Sequence, residues 1–269
     1  MLKIGFIGAG NMGGAIAKAV CSAGFGSFVY LCDRDENRAL SLAKELGCNT
    51  ADNKVVSAEC DIIFLGVKPQ FISDAARELS DNIIKQKRSS LPLIVNMAAG
   101  VRLEKTESYF SEGTHIIRIM PNTPVAIGKG MTVYCPNRYV TEEDEKNFIA
   151  IMAKAGELDR IEERLIDSAC AISGCGPAFV YMFIEAMADA GVRCGLPRDK
   201  ALKYARQTVI GAGEMAKDSG KHPGELKDAV CSPAGSTIEG VMALEKSAFR
   251  GAVADAVSEA YKRTVELGK

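Results

Sequence analysis

A glycine-rich segment near the N-terminus, GAGNMG, separates a short apolar run from an amphipathic pattern and narrows the possible folds more than any other segment. The run LKIGFIG before it predicts a buried strand, and NMGGAIAKAV after it predicts a helix. Gly8, Gly10 and Gly13 have the spacing G-x-G-x-x-G in this context. Such glycines permit a tight turn, a close approach of pyrophosphate and close packing of helix on strand. The segment therefore predicts a dinucleotide site at a helix N-terminus, where unpaired N–H groups favour phosphate.

The rest of the first half alternates apolar runs with helical patterns. Five further buried strands are predicted at 27–33, 60–67, 92–98, 115–120 and 131–135. Helices are predicted at 36–46, 69–79 and 142–156. Strands buried on both faces and alternating with helices are typical of parallel sheets. The fold class is therefore expected to be α/β, with a doubly wound, Rossmann-type parallel sheet.

Only helical patterns remain in the second half of the chain. We therefore expect a dinucleotide-binding (Rossmann) domain over 1–162 and an all-helical domain over 163–269. The segment PAFVYMFIEAMADAGV (177–192) is apolar nearly all round, with only Glu185 and Asp189 charged. A helix of this kind is buried on every side, and a domain of about 105 residues encloses it poorly. A second copy in a C2 dimer is expected to cover it.

Composition and charge argue against several classes of protein. The 269-residue chain has a formal net charge of −1 and scattered basic residues, so neither nucleic acid nor an anionic membrane is expected as a partner. No apolar run approaches the roughly 18–20 residues of a membrane span, and the N-terminus lacks a signal-peptide pattern. Nine cysteines without a C-x-x-C pair argue against a disulfide framework and a zinc site. We expect a cytoplasmic protein without a metal.

The end of the second predicted strand bears on the choice of dinucleotide, and its signals conflict. Asp33 lies 20 residues after Gly13, where a carboxylate accepts hydrogen bonds from the ribose hydroxyls of NADH and repels a 2′-phosphate. Arg34 and Arg38 follow, and a guanidinium there either binds that phosphate or lies in solvent at a helix start. NADPH and NADH both stay open, with a slight preference for NADPH.

Few side chains offer acid–base chemistry. The chain has two histidines, His115 and His222, and neither has an evident partner. A dehydrogenase of small hydroxy acids needs a positioned proton donor, and no lysine or histidine in the helical half is identifiable as one. A protonated imine, which is already activated toward hydride, fits these side chains better. A hydroxy-acid dehydrogenase and a non-catalytic dinucleotide sensor remain the alternatives.

Six motifs resemble, in order and spacing, those of the pyrroline-5-carboxylate reductases, and together they extend over essentially the entire chain. They are FIGAGNMG, GVKP (66–69), NMAAGV (96–101), RIMPNTP (118–124), SGCGPAFVY (173–181) and DAVCSPAGSTIEGV (228–241). The resemblance implies reduction of L-Δ1-pyrroline-5-carboxylate to L-proline by NAD(P)H, the last step of proline biosynthesis. It also implies that 163–269 is a dimerisation and substrate-binding domain.

The resemblance also indicates which residues surround the cofactor. Together with Asp33 and Arg34, they are Gly8, Ala9, Gly10, Asn11, Met12, Gly13, Asn53, Val67, Lys68, Pro69, Met97, Ala98 and Ala99. The glycine loop would hold pyrophosphate, Asn53 and 67–69 would lie along the nucleotide, and 97–99 would border the nicotinamide. GVKP and NMAAG each follow a buried apolar run, which is the edge where doubly wound sheets bind ligands.

A hydroxyl-rich turn that opens a helix is the expected substrate site. Its residues are Ser232, Gly235, Ser236 and Thr237, with Thr237 as the catalytic residue. Backbone N–H groups and hydroxyls would hold the substrate carboxylate without placing a full positive charge beside an iminium. The alternative is plain N-capping by Ser236 or Thr237.

The chain departs from the family pattern at three positions near these motifs. Cys175 and Cys231 stand where the family has hydroxyl residues, and Ala234 stands where it has glycine. Because a thiol is a weaker donor than a hydroxyl, side-chain contacts at the two cysteines are not carried over, whereas backbone N–H contacts survive.

A shared active site is the testable consequence of the expected dimer, with the SPAGST loop of one chain facing the dinucleotide of its partner. Gly10→Asp blocks pyrophosphate by size and charge, and Thr237→Val removes the substrate hydroxyl but keeps the shape, so each homodimer should be poorly active. A mixed dimer holds one site free of both changes. Co-expression should therefore restore activity to roughly a quarter of wild type. Inactive mixed dimers would place each site within a single chain.

Overall fold

The computed structural model describes residues 2–86, 88 and 90–267, and its largest feature is a sheet of eight strands. The strands are β1 (Ile4–Ile7), β2 (Val29–Cys32), β3 (Asn49–Thr50), β4 (Ile62–Leu65), β5 (Leu93–Asn96), β6 (Ile116–Met120), β7 (Gly130–Pro136) and β8 (Gly156–Arg160). Their order across the sheet is β3-β2-β1-β4-β5-β6-β7-β8. The chain runs outward from β1 on one side and outward from β4 on the other, which is the order of a doubly wound sheet.

The inner strands are those predicted from apolar runs. β1, β4, β5 and β6 are buried along their whole length, and β1 pairs in parallel with both β2 and β4. Because both faces of these strands are covered, their sequences are continuously apolar rather than alternating. The predicted doubly wound sheet is confirmed.

Two features of the sheet were not predicted. β7 lies antiparallel to β6 and parallel to β8, so the sheet is mostly rather than wholly parallel. β3 and β8 carry no apolar run, and β8 reads GELDR. Both lie at edges of the sheet and are largely exposed, and an exposed edge strand needs few apolar side chains. Hydrophobic periodicity therefore gives no signal for them.

Helices cover both faces of the sheet and form the second half of the chain. They are α1 (Asn11–Val20), α2 (Glu36–Leu46), α3 (Asn53–Glu59), α4 (Ile72–Gln86), α5 (Leu103–Glu107), α6 (Glu142–Ile151), α7 (Ile166–Ala169), α8 (Gly176–Arg193), α9 (Arg198–Ser219), α10 (Pro223–Ala229), α11 (Ser236–Lys246) and α12 (Phe249–Leu267). On one face, Ile16 of α1 and Phe148 of α6 belong to a core with Phe6 and Phe64, whose rings stack with centroids 4.6 Å apart. A second core contains Leu79 of α4.

The chain divides into two compact units. The described residues within Met1–Cys175 and Ala260–Lys269 form the first unit, which contains the sheet, and Gly176–Glu259 forms the second. In the second unit, α8 packs against α9 around the buried Ala188, Ala201 and Ala205. The predicted helical second half is confirmed over the described residues after 163. The domain boundary near residue 162 stays a prediction.

Helix α8 exposes apolar side chains. Tyr181 and Met182 are 60% and 69% exposed, and Val180 and Phe183 are also exposed. The helical stretch Glu163–Arg193 reaches a mean hydropathy of 1.4, with 11% of its most apolar window buried, so by length and composition alone it could cross a membrane. The expectation that no apolar stretch reaches this length is therefore wrong. A helix that packs against another protein chain passes the same test, because it is apolar for the same reason.

A buried charge cluster joins β6 to the start of α7. Arg118 on β6 is 1% exposed, and its guanidinium donates to Glu163 Oε1 at 3.0 Å and to Asp167 Oδ1 at 3.1 Å. Glu163 Oε1 also accepts from the N–H of Leu103 at 2.6 Å. A buried cation is tolerated only while its carboxylates remain, so this cluster fixes the segment that follows β8.

Removing one partner of Arg118 should be costly. Asp167→Asn leaves the buried guanidinium with one carboxylate and should lower the free energy of unfolding by about 2–4 kcal/mol, measured by urea unfolding. Glu162→Gln is the matched control, because it removes an exposed carboxylate beside Arg164 and should leave the unfolding midpoint nearly unchanged. Equal effects of the two substitutions would mean that Arg118 is not buried with its partners.

Candidate active site

A cavity of about 780 Å³ opens at the carboxyl ends of β1, β2 and β4. This is the point where the chain changes direction in the sheet, and doubly wound sheets bind ligands in such a crevice. Its wall contains one neighbouring residue, Gly66, and seven of the predicted cofactor residues: Gly8, Gly10, Asp33, Arg34, Asn53, Val67 and Lys68. The fold thus gathers residues from separate parts of the first unit into one site.

In the glycine loop, the backbone of one glycine packs directly against the backbone of another. Gly8 has a φ of +104°, and a Cβ added there would lie 2.6 Å from the carbonyl carbon of Gly66. A Cβ on Gly13 would lie 2.1 Å from the carbonyl oxygen of Gly8. Gly10 differs, because a Cβ added there meets no atom within 4 Å and would point into open space. Gly8 and Gly13 therefore allow close packing, and Gly10 leaves room for a ligand.

The N-terminus of α1 fits a pyrophosphate. Gly10 is the N-cap, and no side chain caps the helix. The first N–H groups of a helix have no intrahelical acceptor and carry partial positive charge, so they favour phosphate oxygens. Asn11 is exposed at this end, while Met12 packs partly buried against the core. A side chain on Gly10 would fill the space that a phosphate needs, so the residues present fit a dinucleotide.

Asp33 has a structural role that the sequence did not predict. Its Oδ2 accepts from the N–H of Ala9 at 2.7 Å, and its Oδ1 accepts from the N–H of Asp35 at 2.9 Å. Arg38 lies 3.6 Å from Oδ1. The carboxylate therefore fastens the glycine loop to the end of β2, in addition to any contact with a ribose.

Asn53 is held by two side chains that sequence reasoning missed. The Cys32 thiol donates to Asn53 Oδ1 at 3.0 Å, and Asn53 Nδ2 donates to Glu78 Oε1 at 2.8 Å. Burial, together with the nearby carboxylates of Asp52 and Asp33, raises the pKa of the Cys32 thiol to about 11, so it remains a donor at neutral pH. No sequence signal connects these residues, because they lie on three separate elements.

The predicted nicotinamide segment follows β5, next to β4. A Cβ on Gly66 would lie 3.5 Å from Met97 Sδ, so this segment borders the glycine loop. Asn96 is fully buried; its Oδ1 accepts from the N–H of Ala98 at 2.9 Å, and its Nδ2 donates to Thr106 Oγ1 at 2.8 Å. Ala98 is buried and Ala99 is exposed. Asn96 thus fixes the turn, although only its neighbours were assigned to the site.

The segments after β4 and β6 complete the surroundings. Pro69 is exposed and begins a 3-10 turn, Pro69–Phe71, at the edge of the cavity. Asn122, from the motif RIMPNTP, donates through Nδ2 to the carbonyl of Ser173 at 2.9 Å and accepts from the N–H of Met131 at 2.9 Å. The motifs RIMPNTP and SGCGP therefore touch, which sequence order alone did not indicate.

The predicted substrate residues all lie in the second unit. The N–H of Gly235 donates to the carbonyl of Ser232 at 3.0 Å and closes a turn, and α11 begins at Ser236. Gly235 is the N-cap, with no side-chain cap. Ser232, Ser236 and Thr237 are exposed, and their hydroxyls make no hydrogen bond to the described residues. Plain N-capping by Ser236 or Thr237 therefore does not account for these hydroxyls.

His115 lies outside the candidate site but does have a partner. Its Nδ1 lies 2.7 Å from Asp144 Oδ2, so the expectation that nothing pairs with it is wrong. The pair lies at the start of β6, at the amino ends of the strands and away from the cavity described above. His222 caps α10, with its Nδ1 accepting from the N–H of Gly224. Both histidines thus have structural roles.

Comparisons with known proteins bear on the family. Two family models match: pyrroline-5-carboxylate reductase dimerisation over residues 163–267, and NADP oxidoreductase coenzyme F420-dependent over residues 3–98. Pyrroline-5-carboxylate reductases of Methanosarcina acetivorans and Escherichia coli are 41% and 40% identical to the chain over 270 residues, which cover 99% of it and 98% of each relative.

Solved structures give the same result. The pyrroline carboxylate reductase of Plasmodium falciparum, with NADP bound, is 32% identical with a TM-score of 0.86, covering 100% of this chain and 98% of that one. The pyrroline-5-carboxylate reductase of Coxiella burnetii is 29% identical with a TM-score of 0.90, covering 100% and 99%.

The chain has a dinucleotide site at the glycine loop of a doubly wound sheet, followed by a helical half. It is therefore an NAD(P)H-dependent oxidoreductase. The chain belongs to the pyrroline-5-carboxylate reductase family. The family, the α/β fold class and NAD(P)H as cofactor are thus confirmed. The match to a dimerisation model over 163–267 also assigns self-association to the half of the chain that contains the exposed α8. The roles of individual site residues stay predictions.

The turn at the predicted substrate site contains a strained alanine. Ala234 has a φ of +56°, at the third position of a Ser232–Gly235 turn where glycine is preferred. The left-handed conformation costs a residue with a Cβ roughly 1–2 kcal/mol. This turn is therefore formed at a cost.

Ala234→Gly should therefore stabilise the chain. The substitution relieves the strain of the folded turn, but glycine also raises the entropy of the unfolded chain. The net gain should be about 0.5–1 kcal/mol in the free energy of unfolding, measured in urea. Ala248→Gly, at a φ of +55° between α11 and α12, is the matched control and should give a similar gain. Only the substitution at Ala234 should also change KM for the substrate. No gain from either would contradict the left-handed assignments.

Proposed function

We propose that the chain reduces the C=N bond of L-Δ1-pyrroline-5-carboxylate to give L-proline, as the last step of proline biosynthesis. The observation that carries the proposal is full-length membership of a family whose relatives bear this name, at about 40% identity. The reaction needs a cofactor site and a site for the substrate carboxylate. The glycine loop in the first unit supplies the first, and the hydroxyl-rich turn in the second unit supplies the other. We place the enzyme in the cytoplasm, where the nine free thiols of this chain remain reduced.

The first unit provides binding and orientation. When bound, NAD(P)H supplies a hydride from its nicotinamide. Gly10 and the N-terminus of α1 hold the pyrophosphate, and the polar contacts of Asp33 and Asn96 keep the two flanking turns in place. Ala98 and Ala99 are small, so the turn after β5 leaves room for a flat ring beside Met97.

The second unit provides the carboxylate site. The N–H groups at the start of α11 and the hydroxyls of Ser236 and Thr237 are donors with no partner among the described residues. A carboxylate satisfies such donors, and none of them adds a full positive charge beside the iminium. The hydride adds to the carbon of the C=NH⁺ bond, and the π electron pair moves to nitrogen, which becomes the amine of proline. Thr237 is the hydroxyl that we assign to the substrate during this step.

Self-association takes the form of a C2 dimer in this proposal. Tyr181 and Met182 on α8 are exposed, as are Met215 on α9 and Met242 on α11. Scattered exposed apolar residues are normal, but a helix that is apolar nearly all round needs protein against it. A twofold axis lets the same patch cover itself on both chains, which closes the assembly. Oligomers of such dimers are compatible with this arrangement.

Thr237 gives a direct test of the reaction. The wild-type chain should oxidise NADPH or NADH with L-Δ1-pyrroline-5-carboxylate and not with small keto acids. Thr237→Val should lower kcat/KM by about ten- to a hundredfold, the worth of a hydrogen bond to a charged group, while the Kd for the cofactor stays unchanged. Thr237→Ser keeps the hydroxyl and should stay within a few-fold of wild type.

Two outcomes would count against this function. Turnover of a keto acid instead of the imine would favour a hydroxy-acid dehydrogenase. Cofactor binding without oxidation in the presence of either substrate would favour a dinucleotide sensor. If Thr237→Val were fully active on the imine, the substrate hydroxyl would have to lie elsewhere, although the reaction itself would stand.

A further inference from the structure

Two arginines at the end of β2 differ in their surroundings. Arg38 lies 3.6 Å from Asp33 and 3.5 Å from Asp35, so carboxylates neutralise its charge. Arg34 makes no ion pair with the described residues, and its guanidinium carbon lies 5.0 Å from the centroid of the Phe71 ring. Both arginines line the cavity. Arg34 is therefore a cation held by a ring and not by an anion.

The carboxylate that would repel a phosphate at this point is already engaged. Asp33 is 10% exposed and accepts from the N–H groups of Ala9 and Asp35, while Arg38 lies beside it. Hydrogen bonds and a neighbouring cation offset its charge, so its repulsion of an anionic ligand is weakened. Of the two arginines, Arg34 is therefore the one whose charge stays available to a ligand.

Phe71 reaches Arg34 from the other side of the crevice. It ends the turn Pro69–Phe71 after β4 and is 40% exposed in the wall of the cavity. An aromatic ring attracts a guanidinium through its π face and leaves the N–H groups at the guanidinium edge able to donate. The contact therefore positions Arg34 without consuming its donors.

We propose that Phe71 is a specificity-determining positioning residue, which holds Arg34 as the receptor for the 2′-phosphate of NADPH. A guanidinium binds a phosphate through two parallel N–H donors, and stacking restricts the arginine before the ligand arrives. NADH lacks this phosphate, so Phe71 and Arg34 strengthen the binding of NADPH and not that of NADH. The proposal depends on the proposed function in one respect only, which is that the cofactor is NADPH or NADH.

A double-mutant cycle in the full chain tests the proposal. Arg34→Ala should lower kcat/KM for NADPH about ten- to a hundredfold more than for NADH. Phe71→Leu should lower the NADPH-to-NADH ratio about two- to fivefold, and Phe71→Trp should preserve it. In the Arg34→Ala background, Phe71→Leu should no longer change the ratio. Tyr139→Leu removes the ring from a similar stack on Arg138, outside the cavity, and should leave the ratio unchanged.

Binding without turnover separates this proposal from the reaction. Calorimetry with 2′,5′-ADP and with 5′-AMP should show that Phe71→Leu weakens only the first. Equal losses for both nucleotides would mean that Phe71 contacts the adenosine directly and would overturn the proposal. So would an undiminished effect of Phe71→Leu in the Arg34→Ala background. If 2′,5′-ADP binds as expected but no imine is reduced, the proposed function fails and the role of Phe71 stands.

Discussion

Close packing of three glycines at the reversal point of the sheet is the contact on which the candidate site depends. Gly13 sits against the carbonyl of Gly8, and Gly8 sits against Gly66, so that any Cβ at these positions would overlap backbone atoms. The turns after β1 and β4 can approach each other only because none of the three has a side chain. Their approach brings the N-terminus of α1 to the cavity, where its partial positive charge meets a phosphate.

Buried polar groups hold the loops that this packing creates. Asp33 fastens the glycine loop, and Asn96 fixes the turn after β5. Asn122 joins two motifs that are distant in sequence. Each group accepts from a backbone N–H, and losing such a partner inside a protein costs about 1–3 kcal/mol. These hydrogen bonds fix the backbone around the site, while the side chains that line the cavity come from several elements.

The helical half is the part of the chain that the comparisons connect with self-association. Helix α8 keeps apolar side chains such as Met182 at its surface, and the family model that covers this half describes a dimerisation domain. The stretch Glu163–Arg193 is also long and apolar enough to span a membrane, and a helix that packs against a second protein chain has the same composition. A partner that binds only the folded chain would stabilise this half.

The elements that arise from local sequence patterns could be predicted before the structure was known. The inner strands, the glycine loop and the helical second half were predictable because apolar runs and glycine spacing report directly on burial and turns. Exposed edge strands β3 and β8 were not, since little apolar surface marks them. Three contacts could be seen only in the folded chain: Asp33 fastens the glycine loop, Cys32 and Glu78 hold Asn53, and the Phe71 ring packs against Arg34. These contacts join residues from different turns of the sheet, and the distance between such turns is set by strand order and packing rather than by spacing along the chain.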